Sequence, residues 1–571
     1  MKFDDVLREI GEFGWYQRRV YLLACLPIIF SSFETMSSVF ILNIPAHRCA
    51  IPGYPHDHYH VTNETHAALL NQSIPSENGQ WSKCNVYSDV IFDVRKNASD
   101  VTRMTSVEEG IGNVSYNRAA VSKCQRWVFD HSVFESTIAT DFSLVCDRSV
   151  FRSTSNVVAE IGTLIGTGVS GLAADRFGRK LPFYIGALAL MSGGFGIAFT
   201  TNFIVLNFCR FLIGLARMTL WVNGLVIGME IVGPSKRVFA GTFIELVWCV
   251  GAFLLLLFAY FIRNWRYLEI AVSVPSCVLL AYWWLIPESP RWLASKGREK
   301  EVLLILEKIA SSNKTKLPDV DDVSKSLVEK QVSLSFIHLF KSRELIVRFV
   351  VVFSNMYMLN VIYYALMYNI TNLSGDIYIN YLITVASETI GLVLPYFLLD
   401  RLGRKCVTCA STLIGGAACV ASVVPALANA PDWVVVVLST VGRFFVCMGY
   451  STTYIYAAEL FPTVIRASAM GVGVTIVRSG SIVAPYIADV GILVGGRLAN
   501  ALPLIVMGGP ALVVGFFVLW LPETMGTKLP ETLDDVSNLQ SARGCVCCKD
   551  GNSDERERAV TRELDNTDPE V

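Results

Sequence analysis

Apolar runs of about 20 residues, the length that spans a bilayer as a helix, recur along this chain with polar segments between them. Six are centred near Ile29, Ile161, Leu190, Val222, Leu254 and Leu279, and six more near Ser354, Glu388, Ile414, Val446, Val477 and Leu512. The pattern predicts an all-α membrane protein of twelve transmembrane helices in two sixes. The first run follows Arg18 and Arg19 and lacks a small-residue cleavage site, so it reads as a retained helix rather than a signal peptide. Lys and Arg collect in residues 175–180, 234–237, 291–348 and 400–405, all on one side of a twelve-span arrangement, which the positive-inside bias makes cytosolic. Residues 263–266 (RNWR) and Arg497 are exceptions on the other side. The expected partition is a cytosolic N-terminus (1–19), an N-terminal half (20–286), a cytosolic linker (287–342), a C-terminal half (343–525) and a cytosolic tail (526–571).

Composition agrees, with 53% hydrophobic and only 17% charged residues over 571 positions. A net charge of -1 and the absence of any basic stripe set nucleic acid aside as a partner. No nucleophile arrangement, metal-ligand cluster or GxxxxGK[ST] phosphate loop stands out, so neither an enzyme nor a cofactor nor a metal is expected.

A polar insert from 43 to 147 separates the first two runs, on the outer side of this topology. It carries four sequons, at Asn63, Asn71, Asn97 and Asn113, and four cysteines, Cys49, Cys84, Cys124 and Cys146. Both suit an oxidising exterior and predict a glycosylated insert with two disulfides, three pairings being open. The second polar stretch contains EKEVLLILEKIASS, whose apolar spacing is helical. In the tail, GCVCC (544–548) reads equally as a palmitoylation site or as plain reduced thiols.

Landmarks of the first six runs return in the second six at an offset of about 225 to 235 residues. Asp175-Arg-Phe-Gly-Arg-Lys180 answers Asp400-Arg-Leu-Gly-Arg-Lys405, Arg210-Phe211 answers Arg443-Phe444, and Pro287-Glu-Ser289 answers Pro522-Glu-Thr524. Glu230 with Arg237 answers Glu459 with Arg466. A parallel repeat of six helices is the architecture of the major facilitator superfamily, in which substrate sits between the halves at the midplane. Asp175, Arg176, Arg179, Asp400, Arg401 and Arg404 are therefore expected to pair with Glu230, Arg237, Glu459 and Arg466 as a cytosolic gate.

From Phe13 to about Leu533 the chain resembles the organic cation, anion and zwitterion transporter family of that superfamily. The marks are CQRWVFDHSVFESTIATDFSLVCD (124–147), ADRFGRK (174–180), IPESPRWL (286–293), AAELFPTVIRASAMG (457–471) and LPETMGTKLPET (521–532), together with the long first outer loop. The resemblance implies polyspecific movement of small organic ions across the plasma membrane by alternating access, with no ATP hydrolysis.

Within the runs lie six ionisable residues away from the ends: Glu34, Glu160, Arg217, Glu245, Glu388 and Arg478. Charges at membrane depth face a cavity or one another. By resemblance, Glu388, Tyr363, Glu245 and Trp248 fall on substrate-lining positions; Arg217 matches a lysine, and Glu160 stands where the family has an asparagine. Arg478 falls where dedicated cation carriers have an aspartate and where anion and carnitine-type carriers have arginine. Tyr454, with the other tyrosines of its run, adds a cation-π face. Acids with one arginine suit an organic cation or a zwitterion such as a carnitine-like betaine, with Glu388 and Glu245 on the cationic end and Arg478 on the anionic end. The alternatives are an organic anion carrier, internal neutralisation of Arg478 by a glutamate, and a transport-inactive receptor of the same fold. No sodium or proton site is evident.

Overall fold

The computed structural model describes residues 3–52, 54, 57–77, 80–87, 90–91, 115–116, 121–315, 317, 336–428, 430–431, 433–494, 502–527 and 530. Asn97, Asn113, Arg497 and the cysteines of 544–548 lie outside them. Twelve helices are long and apolar enough to cross a membrane, and each contains one of the expected centres. Spans 1 to 6 are Trp15–Ile41, Cys146–Phe177, Lys180–Phe199, Phe203–Ile231, Pro234–Phe261 and Trp265–Leu285. Spans 7 to 12 are Arg343–Asn372, Ile377–Leu402, Arg404–Pro425, Trp433–Leu460, Thr463–Gly491 and Leu502–Trp520.

Two compact units result, residues 40–152 with 262–267 forming one and the remaining chain the other. In the helical unit the repeat is visible atom by atom. Gly178 (φ +98°) and Gly403 (φ +86°) make the turns after spans 2 and 8 in a conformation that favours glycine. The carboxylate of Glu288 then accepts the backbone N–H of Arg179 (2.9 Å) at the start of span 3, and that of Glu523 accepts those of Arg404 (2.9 Å) and Lys405 (3.1 Å) at the start of span 9. A side chain at either glycine would overlap the capping carboxylate. A charged acceptor on the positive end of a helix satisfies donors that have no partner within the helix.

Below span 1, the short helix Phe3–Glu9 buries Val6 and Leu7, and with them Ile10, against Trp292, Leu293, Val302, Leu306 and Ile309. The last three come from the linker helix Glu299–Asn313, the one the apolar spacing predicted. Burying each such side chain is worth about 1.5–3 kcal/mol as an upper estimate. Asn313 ties the far end, donating to the Ile10 carbonyl (3.0 Å) and to Gln17 Oε1 (2.8 Å).

The smaller unit is held by short antiparallel ladders, among them 47–49 with 127–129 and 85–87 with 121–123. Of the three open disulfide pairings, the structure has Cys49 with Cys124 and Cys84 with Cys146. Its polar core is Arg48, Asp57 and His66, all nearly without solvent contact; Asp57 takes both ends of the guanidinium fork and His66 Nε2 (3.0 Å). Asn63 and Asn71 are exposed. The Oδ1 of Asn63 caps helix Glu64–Ser73 by accepting His66 N–H (2.7 Å), and that of Asn71 accepts the Trp81 indole (3.1 Å). In both cases the amide nitrogen, the atom that would carry a glycan, takes no part.

Candidate functional site

Each half carries one buried ion pair between its second and fourth spans. In the C-terminal half, Glu388 of span 8 has both oxygens engaged: Oε2 accepts from Arg443 of span 10 (2.7 Å) and Oε1 from the Tyr363 hydroxyl of span 7 (2.7 Å). The Arg443 guanidinium lies 3.8 Å from the Tyr363 ring centre and donates to that residue's carbonyl. In the N-terminal half, Arg217 of span 4 pairs with Glu160 of span 2 (2.5 Å) and donates to Thr35 (2.7 Å) and Thr163 (2.6 Å). The lone acid pictured at Glu388 is therefore a satisfied member of a buried pair, because Arg443 projects onto it.

Three expected charges, Glu34, Glu245 and Arg478, are in no ion pair among the described residues, and two of them lie near the junction of the halves. Arg478 of span 11 is half-buried, donates to the Tyr364 hydroxyl (3.2 Å), and among the described residues has no carboxylate within 4.0 Å. Glu245 of span 5, also half-buried, has no hydrogen-bond partner among the described residues; its strongest charged neighbour is Arg478, ahead of Glu388. The two interact from opposite halves, Arg478 also feeling Tyr450, Tyr364 and Glu160, and Tyr454 lies in the field of both. Trp248, one turn beyond Glu245, is buried edge-on against Trp221 with ring centres 5.6 Å apart. Tyr368, another turn along span 7 from Tyr364, donates across to Glu160 (3.3 Å). The arrangement presents one carboxylate, one guanidinium and an aromatic wall to whatever lies between.

Further contacts between the halves gather where span 1 ends and span 2 begins, which we term the outer end. Ser153 donates to Asp489 (2.5 Å), the Thr154 and Tyr486 hydroxyls are 3.3 Å apart, and Tyr381 donates to the Ala252 carbonyl (3.3 Å).

At the opposite end the expected gate takes a different form, with its ion pairs inside each half. Arg179 pairs with Asp175 (2.9 Å) and Glu230 (3.7 Å); Arg404 pairs with Asp400 (3.2 Å) and Glu459 (3.3 Å). Arg237 does not meet Glu230. Asp4, delivered by the N-terminal helix, takes it at 2.6 Å and takes Arg291 as well. Burial would raise the Asp4 carboxyl, but the hydrogen bond from Arg237 and the charges of Arg291 and Arg237 outweigh it and hold the group below its usual range. Arg466 likewise misses Glu459 and donates to the Phe461 carbonyl (3.1 Å). Arg176 is exposed and lies over Phe177 (5.3 Å), and Arg401 is exposed.

Sequence reasoning left several buried charges out of its site, among them Arg210, Glu269 and Arg443. The two arginines stood in the repeat as landmarks, and their recurrence was the available signal.

The profile of the family described as Sugar (and other) transporter matches residues 116–534. The chain is 32% identical over 552 residues to the organic cation transporter protein of Drosophila melanogaster, covering 94% of this chain and 95% of that one. It is 31% identical over 555 residues to human organic cation/carnitine transporter 2, covering 95% of each. Among solved structures, the Escherichia coli xylose transporter XylE in a partially occluded inward-open conformation superposes with a TM-score of 0.58 at 16% identity, over 90% of this chain and 100% of that one. XylE bound to 6-bromo-6-deoxy-D-glucose gives 0.54 at 20% identity, over 70% and 94%. Twelve spans, a doubled six-helix design and relatives matched end to end lead to one conclusion: the chain is a multi-pass transporter, not an enzyme, and belongs to the organic cation transporter family of the major facilitator superfamily.

Proposed function

We propose that the protein moves small organic cations or zwitterions, of the carnitine, amine or quaternary ammonium type, by alternating access at the plasma membrane. The observation that carries this reading is Glu245 and Arg478, two mid-span charges that interact from opposite halves and have no ion-pair partner among the described residues. Glu245 receives an ammonium, Arg478 a carboxylate, and Tyr450, Tyr454 and Tyr364 supply aromatic and hydroxyl faces. Glu388 and Arg443, and Glu160 and Arg217, act as neutral struts that hold spans 2, 4, 8 and 10 in place. The closed outer end corresponds to an inward-facing state. Opening of the outer end separates Tyr368 from Glu160 and Ser153 from Asp489. Both termini and the linker lie in the cytosol in this reading, and residues 43–147 lie outside with Asn63 and Asn71 as glycan acceptors, supported by the two disulfides of that unit.

An organic anion as substrate is the second reading, favoured by the Arg478 guanidinium, which has no carboxylate within 4.0 Å among the described residues. Uptake of labelled tetraethylammonium, carnitine and benzoate into cells expressing the protein decides. A cation or zwitterion carrier moves the first two, loses at least about tenfold in Glu245→Gln, and shifts from carnitine toward tetraethylammonium in Arg478→Gln. Uptake of benzoate alone establishes the anion reading, and binding without flux establishes a receptor.

A further inference from the structure

One buried acid has no place in that pathway. Glu269, near the start of span 6, is 0% exposed; the Ser37 hydroxyl is close to it, but among the described residues neither carboxylate oxygen has a hydrogen-bond partner within 3.5 Å. Glu34 of span 1 lies beside it, 8% exposed, with Oε1 3.4 Å from the Ser273 hydroxyl one turn farther along span 6. Ser37, the other hydroxyl at hand, donates to the Glu34 carbonyl (3.2 Å). The cation facing the two acids is Arg210 of span 4, itself buried. Its donors go to the Ser155 carbonyl (3.3 Å), Ser38 Oγ (3.0 Å) and Asn156 Oδ1 (2.8 Å), none to a carboxylate. Behind Arg210 stand Arg217 and, from the other half, Tyr368. From span 3, Gly194 packs here, where an added Cβ would meet Ser273 and Glu34.

The other half shows that the fold does not require these acids. Gly251 of span 5 closes on Ile29 and Ser32 as Gly480 of span 11 closes on Tyr357 and Val361, and Gly194 closes on Ser273 as Cys419, its counterpart in the repeat, closes on Gly508. Carried along the helices, those correspondences put Ile362 or its neighbour Tyr363 in the place of Glu34, and Leu504 in the place of Glu269. Ile362 and Leu504 are 0% exposed, ordinary packing residues. The N-terminal half therefore keeps two carboxyls where its twin has Leu504 and either Ile362 or the phenol of Tyr363, and no carboxyl.

Two carboxylates against one guanidinium would leave a net negative charge in an apolar interior, and two carboxyls sharing one site do not both ionise readily. Among the described residues no third acid, histidine or cysteine joins them, so a divalent metal lacks its ligands. A proton is the ligand that fits.

We propose that Glu34 and Glu269 form a proton-binding site inside the N-terminal six helices, holding one proton between them in the state described here and exchanging it when the outer end opens. Loading forms one O–H bond on a carboxylate oxygen with a proton taken from water, and release returns it. The link to transport is Arg210: Tyr368 stands beside it from span 7 and also donates to Glu160, so separation of the halves removes Tyr368 and changes the field at the pair.

The site does not depend on the substrate assignment, and the deciding test uses none. Infrared spectra of the full-length protein in lipid nanodiscs, recorded in H2O and D2O at neutral pH, are expected to contain the C=O stretch of a protonated carboxylic acid. That band disappears in Glu34→Gln and equally in Glu269→Gln. No band in the wild type, a band unaffected by either substitution, half the band remaining in each, or its removal by sodium at constant pH overturns the proposal. Glu34→Ile with Glu269→Leu, which installs the residues of the other half, covers the case in which the amides fail to fold, and it must also lack the band. In proteoliposomes, initial uptake of tetraethylammonium and carnitine should vary by up to about tenfold per pH unit along one limb and become flat in these variants. An unchanged pH profile overturns the coupling to transport, whereas failure of both probes to move in the wild type bears only on the substrate reading.

Discussion

The two halves share a backbone plan and differ in how they treat charge. At the inner turns they agree closely: a left-handed glycine, a capping glutamate, and an arginine held by the aspartate four residues before it. In the interior they part. The C-terminal half buries Glu388 against Arg443, with both carboxylate oxygens satisfied. The N-terminal half keeps Arg210, the counterpart of Arg443, and adds the pair Glu160 with Arg217, one Glu160 oxygen having no partner among the described residues, together with Glu34 and Glu269. Duplication preserved what every copy of the bundle needs, namely turns and helix caps. Surplus charge accumulated in one copy, and transport chemistry is to be sought where the copies diverge.

The strongest way to break this comparison is to attack the closed pair. Removing either partner alone, as Glu388→Ala or Arg443→Ala, should cost about 3–5 kcal/mol by stranding the other charge, while Glu388→Leu with Arg443→Leu should cost less than either. Thermal unfolding of detergent-solubilised protein, followed by size-exclusion chromatography, reads the order. If Glu388→Gln abolishes uptake with no thermal shift, Glu388 is a substrate ligand and the closed-pair account fails.

The shared caps should behave alike. Glu288→Ala and Glu523→Ala are each expected to lose about 0.5–2 kcal/mol, by the same thermal assay. Unequal losses would mean that equal geometry hides unequal energetics.

The smallest effect is at Asp4, which gives Arg237 an ion-pair partner of a kind that Arg466, its counterpart, lacks among the described residues. Because both sides of that bridge are partly exposed, Asp4→Asn should cost at most about 1 kcal/mol. Its carboxyl is held below the ordinary 3.8, so its contribution is complete above that value and is lost as pH falls below it through the lowered one. Limited proteolysis of the N-terminal helix at neutral pH should quicken in Asp4→Asn and stay unchanged in Arg466→Gln.

What could be read in the sequence follows the same division. The twelve spans were legible because apolar length is a local property, and the repeat because turn residues keep their order. Glu288 and Glu523 were visible as landmarks, but their capping role was not, since each reaches a helix start more than a hundred residues earlier in the chain. Arg237 was expected to meet the charged groups of the repeated turns because the repeat was the only guide, and Asp4 arrives instead from the first helix of the chain. Glu269 escaped notice beside RNWR, where a charge looks like part of a helix end. The Arg443 to Glu388 contact needed the crossing of spans 8 and 10, which no single-helix periodicity contains.

The disulfides join the first cysteine to the third and the second to the fourth, and the two loops they close overlap. Any one peptide bond cut between Cys49 and Cys146 remains bridged by at least one of them; a side-by-side pairing would leave the stretch between Cys84 and Cys124 uncovered. A single protease nick in this segment therefore releases nothing. The clipped carrier keeps its first span joined to the other eleven through sulfur, and separates into two pieces only when the cut is followed by reduction.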